Sequence, residues 1–407
     1  MDPLRAILIC HSCAEEGGSE ARMSWNWITA LAEEGVELLV VHNGADPTSA
    51  AGVGTPPPRV ELLDVRSRTI PRRGIPVPLY TAIDYWIWQS KVRRVVKRRL
   101  RQRHTDLIHH LSWGSLNYGS FMVKLGTPLV MGPMGGGTQF PKEYLDVLPT
   151  SSTYERARNR FVDSVRFNPF ARRTVRHAAM VIASNPETAA LVRSIGGENV
   201  PVMMDDGVAN ADIHTEPVPQ DDDATLRLVW ISRMQEFKAL AMALDAVELA
   251  AKEVDIELTV LGDGPDRPGN ADRLEDLESR GLVRDLGWVD RATMSQVYSQ
   301  SHVMLYNSLR DNGSAPLHDA TRWGLPAIVL DHQGPGLIAA ESWAVKIALS
   351  NPIETPQDLA DAIVALALDR ERRVAMGHAA LAAARANTWQ ARADKLIGMY
   401  KNLLAQQ

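Results

Sequence analysis

VMLYNSLRDNGSAPLHDATRWGLPAIVLD, Val303 to Asp331, is the stretch that decides the fold class. An apolar run ends near Asn307, and a polar loop follows through Arg310 to Gly313. Ser314 stands as a helix N-cap, with Pro316 tolerated in the first turn. Gly324 stops the helix and Pro326 opens a second apolar run. Strand, helix and strand in that order make the repeating unit of a parallel sheet wrapped by helices.

The alternation extends outward from this stretch. Before it come LRLVW (Leu226 to Trp230), a helical span from Leu240 to Glu253, and IELTVLG (Ile256 to Gly262). Toward the N-terminus, AILIC (Ala6 to Cys10) reads as a buried strand. A helix over Ser24 to Glu34 is closed by Gly35, and LLVV (Leu38 to Val41) follows as the next strand. Further strands are expected at Leu107 to His109, Leu129 to Met131 and Met180 to Ala183, with a loop over Ala45 to Pro58. The stretch Pro201 to Ala224 carries six aspartates and three prolines without periodicity, as a linker does. The expectation is an α/β protein of two doubly wound halves, 1–200 and 225–387, with a linker at 201–224 and a tail helix at 388–407. Two such halves place a ligand in the cleft between them, at the C-terminal edges of the strands.

Composition narrows the function. The chain has 407 residues, more than one core usually organises, and 45% hydrophobic with 23% charged residues is ordinary for a folded protein. A net charge of −5 gives no overall attraction to nucleic acid. The only cysteines, Cys10 and Cys13, are too few for a zinc site and read as reduced thiols at a strand end. No leader-like segment and no long apolar run is legible, so the expected compartment is the cytoplasm. The run KVRRVVKRRLRQR, Lys91 to Arg103, is a strongly basic helix with Val and Leu on one face. It reads either as a solvated outer helix or as a peripheral contact with anionic lipid.

The chemistry gathers in a few loops. The amides of Asn312, Gly313 and Ser314 lie at a helix start, where backbone N–H groups and the helix dipole favour an anion. Asp311 sits at the mouth of that helix and Asp319 eight positions on, a pair suited to two hydroxyl clusters such as a sugar and a ribose. In LVWISRMQEFKAL, Leu228 to Leu240, a buried strand delivers Arg233 and Lys238, two cations able to clamp a diphosphate. No metal is needed for that arrangement. The triplet Asp221 to Asp223 reads as solvated linker charge, and Asp263 and Asp266 as parts of a Gly/Pro turn.

In the first half, Gly17 and Gly18 follow the first strand, and Gly135, Gly136 and Gly137 follow another. The triple glycine is read as allowing close approach of a ligand or of the opposite half. His109 and His110 end a strand, where an imidazole can reach a sugar's 6-position or an acceptor, although adjacent residues point to opposite faces.

Taken together, these segments resemble the family-4 retaining glycosyltransferases with the GT-B fold, over nearly the whole chain. The landmarks are GGSE (Gly17 to Glu20), HHLSWG, GPMGGG, SRMQEFK, LGDGP (Leu261 to Pro265), GWV (Gly287 to Val289) and Trp389 in the tail helix. The resemblance implies an N-terminal acceptor domain, a C-terminal nucleotide-sugar donor domain, and a tail helix that packs back on the first. It implies that Arg233 and Lys238 hold the donor diphosphate, that Gly262 and Val289 lie on the donor side, with Val289 near the base, and that UDP-linked donors are the first to test. The family's two glutamates, with seven residues between them, are here Asp311 and Asp319, each carboxylate drawn back by roughly 1.5 Å. It further implies retaining transfer, without a cofactor, to an acceptor the sequence does not name. Two other readings share these residues: a nucleotide-sugar epimerase of the same fold, and a catalytically silent nucleotide-sugar binding protein.

Overall fold

The computed structural model describes residues 3–16, 19–46, 53–67, 74, 77–113, 115–220 and 225–406. The chain divides into two compact units. The first comprises Met1–Gly137, Phe161–Asp206 and Trp389–Gln407, and the second Thr138–Arg160 and Gly207–Thr388.

In the first unit the elements run β1 (Arg5–Cys10), α1 (Ser19–Glu33), β2 (Glu37–His42), β3 (Val60–Asp64), α2 (Val77–Gln102), β4 (Leu107–Ser112) and β5 (Leu129–Met134). Next come α3 (Ser152–Ser164), which crosses the unit boundary, α4 (Pro169–His177), β6 (Met180–Ala183) and α5 (Pro186–Ser194). Among the described residues the six strands form one parallel sheet in the order β3-β2-β1-β4-β5-β6. Its central strands are buried on both faces, which is why AILIC reads as a continuous apolar run rather than an alternating one and why β4 buries even its two histidines.

The second unit continues with β7 (Leu226–Ile231), α6 (Leu240–Ala250), β8 (Ile256–Leu261), α7 (Arg267–Ser279), β9 (Val283–Gly287) and α8 (Arg291–Gln300). After these come β10 (Val303–Tyr306), α9 (Ala315–Trp323), β11 (Ala327–Leu330), α10 (Gln333–Ile338), β12 (Ala344–Ile347), α11 (Glu354–Leu368) and α12 (Arg370–Ala386). Their parallel sheet has the order β12-β11-β10-β7-β8-β9. The final helix, α13 (Trp389–Ala405), belongs to the first unit, where Trp389 meets Trp27 edge-to-face at 5.6 Å and Tyr400 is fully buried.

Two boundaries differ from the sequence reading. The expected linker, 201–224, packs onto the second unit for much of its length. The amides of Val208, His214 and Val218 donate to the carbonyls of Asn387, Arg322 and Trp323 at 3.0 Å each, and Val208 and Val218 are buried. Proline and aspartate suppressed the periodic signal there, but helix-end carbonyls still satisfy the backbone. Within the expected first half, Thr138–Arg160 belongs to the second unit. Phe140, Tyr144, Leu145 and Leu148 enter the core beneath α6 and α11.

Candidate active site

The second sheet reverses its strand order at β7 and β10, which lie side by side. Loops leaving adjacent strands at such a reversal diverge to opposite faces and open a crevice for ligands. Both halves of the expected constellation emerge there.

After β7, Arg233 stands exposed, and a short turn, Glu236–Lys238, ends at Ala239 with left-handed backbone, φ 54. The loop after β10 is stitched to that turn. Asn307 accepts from Trp230 Nε1 at 3.0 Å and donates to the Ala239 carbonyl at 2.7 Å, while the Leu309 amide donates to the Phe237 carbonyl at 2.9 Å. The result is a contact between residues 73 positions apart: Lys238 Nζ lies 2.5 Å from Asp311 Oδ2, with side chains 15% and 20% exposed. The Tyr306 hydroxyl donates to the same oxygen. Burial, and then the charge of Asp311, pushes the Tyr306 phenol well above its ordinary value, so it remains a donor.

Ser314 caps α9, its Oγ accepting from the Leu317 amide at 3.3 Å. Of the three amides expected at this helix start, that of Asn312 is engaged by Asp311 Oδ1 at 3.0 Å, which corrects its assignment as an open donor. The loop is backed by Gly334, where a Cβ would fall 2.3 Å from the Asn312 carbonyl oxygen, and whose amide donates to the Asp311 carbonyl at 3.3 Å. Asp319 lies in the second turn of α9 with its carboxylate 2.8 Å from Arg322 Nε. Burial, and then the charge of Asp319, raises the Tyr298 phenol beside it.

Gly262 has a packing role. Its φ is +131, a Cβ would stand 1.9 Å from the Ser232 carbonyl oxygen, and its amide donates to Gly287 at 2.7 Å. The absence of a side chain lets the loop after β8 press against the loop that carries Arg233. Val289 is half-buried against the core around α8 and α9, next to an exposed Trp288.

Several first-unit expectations are corrected. His109 and His110 are both buried, and each has both ring nitrogens engaged inside the fold. His109 pairs with the Tyr400 hydroxyl and with the Gly132 carbonyl at 2.5 Å. His110 pairs with Ser120 Oγ at 2.8 Å and the Tyr85 hydroxyl at 2.7 Å. A strand covered on both faces gives neither imidazole a route to a ligand. Burial lowers them to about 4 and about 3.

The triple glycine also divides. Gly137 sits where a Cβ would fall 2.4 Å from Thr188 Cα, a packing need, and Gly135 bridges Ser115. Only Gly136 of the three is exposed; it has φ +97, and no atom lies within 4 Å of where a Cβ would stand. Gly17, Gly18 and Asp221 to Asp223 lie outside the described residues.

Sequence reasoning passed over His11, which lies between Cys10 and Cys13. At the end of β1 its Nδ1 lies 2.8 Å from Asp46 Oδ2, its Nε2 3.1 Å from Asn43 Nδ2, and the rings of Tyr85, Trp88 and Trp113 enclose it. Cys10 and Cys13 are buried and not joined in a disulfide, and burial pushes Cys13 up to about 12. In α2, Val92 and Val96 face the core; Lys91, Arg93 and Arg99 of this helix, and Arg103 just beyond it, bind carbonyls or carboxylates of the same unit. Arg94, Lys97, Arg98 and Arg101 are exposed. Among the described residues, no helix is long and apolar enough to cross a membrane.

Comparison with known proteins gives this geometry its context. Residues 225–369 match the family described as "Glycosyl transferases group 1", and residues 17–204 the "Glycosyl transferase 4-like domain". No curated protein matches the chain. Among solved structures, HepE of Anabaena in complex with UDP is similar at 15% identity and TM-score 0.62, covering 98% of this chain and 100% of that one. Sucrose-phosphate synthase from Thermosynechococcus elongatus is similar at 16% identity and TM-score 0.63, covering 99% and 100%. The lipopolysaccharide outer core galactosyltransferase WaaB is similar at 14% identity and TM-score 0.61, covering 99% of each. With two glycosyltransferase families matched in tandem and two six-stranded parallel sheets of the corresponding fold, the chain belongs to the family-4 glycosyltransferases of the GT-B fold.

Proposed function

We propose that this glycosyltransferase moves a sugar, with retention at the anomeric carbon and without a metal ion, from a nucleotide-diphosphate donor to an acceptor hydroxyl. The observation that carries the reading is the Lys238–Asp311 pair at the strand-order reversal, 2.5 Å apart and beside the start of α9. Lys238, the exposed Arg233 and the Gly313 and Ser314 amides supply positive charge and N–H donors where a departing diphosphate would need them. Asp311 then has sugar hydroxyls to accept in place of part of its bond to Lys238, and Asp319 stands further along the same helix for a ribose. The C1–O bond to the diphosphate breaks as the acceptor oxygen bonds C1 on the same face, and the acceptor proton passes to a leaving phosphate oxygen. No side chain has to act as base.

HepE, a structural neighbour, is also solved with UDP-glucose, which makes UDP-sugars the first donors to try. The four exposed cations of α2 are the place to look for a peripheral membrane contact, read by co-sedimentation with anionic vesicles at low salt. The deciding experiment is calorimetry against a panel of nucleotide sugars, followed by NMR of the product's anomeric configuration. An inverted product rejects retention. Interconversion of the free donor without an acceptor favours an epimerase, and binding without any turnover a silent binding protein.

A further inference from the structure

The segment Thr138–Arg160, which leaves the first unit after Gly137 and returns to it at Phe161, is part of the second unit and grips the candidate site from several sides. Its anchor is apolar: Phe140, Tyr144, Leu145 and Leu148 are buried in the core of the second unit. The Tyr144 hydroxyl adds a 2.6 Å hydrogen bond with Thr355.

From this anchor two fasteners reach the residues flanking the Lys238–Asp311 pair. Glu155, 1% exposed, accepts from Arg310 Nη2 at 2.9 Å, and that guanidinium lies 4.0 Å from the centre of the Phe237 ring. Arg310 directly precedes Asp311, and Phe237 directly precedes Lys238. One buried ion pair therefore fixes the chain neighbour of each member. The second fastener is Gln333, whose Nε2 donates to the Gln139 carbonyl at 2.6 Å while its Oε1 accepts the Asp311 amide at 3.0 Å. Gln333 is itself held at φ 53, a conformation a non-glycine residue adopts only when its surroundings enforce it. Glu236, in the turn that carries Lys238, ties the arrangement further by accepting from the amides of Thr150 and Ser151 at 3.0 and 2.8 Å.

We propose that Thr138–Arg160 is the element that positions the donor site, and that Glu155, acting through Arg310, is a positioning residue for Asp311 and Lys238. The inference rests on the donor-site reading above. Neutralising Glu155 leaves the half-buried Arg310 guanidinium without its counter-charge. Arg310 then turns toward water and carries the Asp311 backbone with it. A displacement on the order of 1 Å at a reacting site can cost about a hundredfold in rate.

The test compares wild type, Glu155→Gln, Gln333→Met and the double variant Glu155→Met/Arg310→Met. Each is assayed by UDP calorimetry, thermal melting and kcat for release of nucleoside diphosphate from UDP-glucose, with water as acceptor. Replacing a buried ion pair by apolar side chains is often neutral for stability. The double variant is therefore expected to recover the wild-type melting temperature while kcat stays about 10- to 100-fold down, as in the two single variants. Recovery of kcat together with the melting temperature shows a merely structural ion pair and overturns the proposal, as does wild-type kcat in Glu155→Gln. If Glu155→Gln does not fold, Gln333→Met decides on the same criterion, because it releases the other side of Asp311. Where the panel selects another nucleotide sugar, that donor replaces UDP-glucose; if the wild type neither binds nor turns over any of them, the donor-site reading fails, and the positioning role falls with it.

Discussion

His109 and His110 are placed to make the first unit acid-sensitive at a predictable pH. Burial holds them neutral in the fold, at about 4 and about 3, whereas an unfolded chain protonates histidine near 6.5. A folded value below the unfolded one means the stabilisation is fully present above pH 6.5. It is lost progressively as pH falls, because the unfolded state takes up protons that the fold refuses. Between pH 7.5 and 5 each imidazole should remove about 2 kcal/mol, at about 1.4 kcal/mol per unit below 6.5, and the pair about 4. His42, lowered mainly by burial, acts with the same sign. The assay is urea unfolding at stepped pH, followed by the fluorescence of Trp27 and Trp88, both buried in this unit. His110→Gln keeps a polar group near Tyr85 and Ser120 but cannot protonate, so it should be less stable at pH 7.5 and have a shallower slope down to pH 5. A wild-type curve flat from pH 6.5 to 5, or a variant with unchanged slope, refutes the argument that these histidines are sealed in the fold.

Lys238→Met should leave the melting temperature within a few degrees while lowering kcat/KM by roughly 10- to 150-fold, the value of one charge-assisted hydrogen bond of about 1.5–3 kcal/mol; initial rates on the donor found by calorimetry decide it. EDTA treatment followed by dialysis should leave transfer unchanged, and activity restored only by added Mg²⁺ or Mn²⁺ would reject metal independence. Gly262→Ala forces a Cβ to within 1.9 Å of the Ser232 carbonyl at a φ of +131, so destabilisation of at least about 1–3 kcal/mol is expected, with weakened UDP binding as the Arg233 loop shifts. For Glu236, burial opposes ionisation but hydrogen bonds from Ser151 and Thr150 outweigh it and hold the carboxyl below its ordinary range. That attachment is present above about pH 4.3 and lost as pH falls through the lower folded value, which hydrogen exchange at residues 150–155 can follow.

The sequence by itself determined the parallel α/β class, because buried strands and capped helices carry their periods and their stops locally: Ser314 and Gly324 bound α9 as its N-cap and left-handed C-cap. It also singled out Lys238 and Asp311, since cations and carboxylates beside helix starts are visible in one dimension. Only the tertiary structure decided what these residues meet. The 2.5 Å contact between Lys238 and Asp311 depends on Asn307 reaching Ala239, and the grip on Asp311 depends on Gln333 and Gln139, 194 residues apart. The two histidines looked functional because a strand end usually opens to solvent; Tyr400, from the last helix, and Tyr85, from the helix before β4, close over them. Thr138–Arg160 could not be assigned to the second unit in advance, because its apolar side chains say that they will be buried but not in which core. Local propensity is written residue by residue, whereas partner choice among equivalent apolar or charged groups is settled by topology.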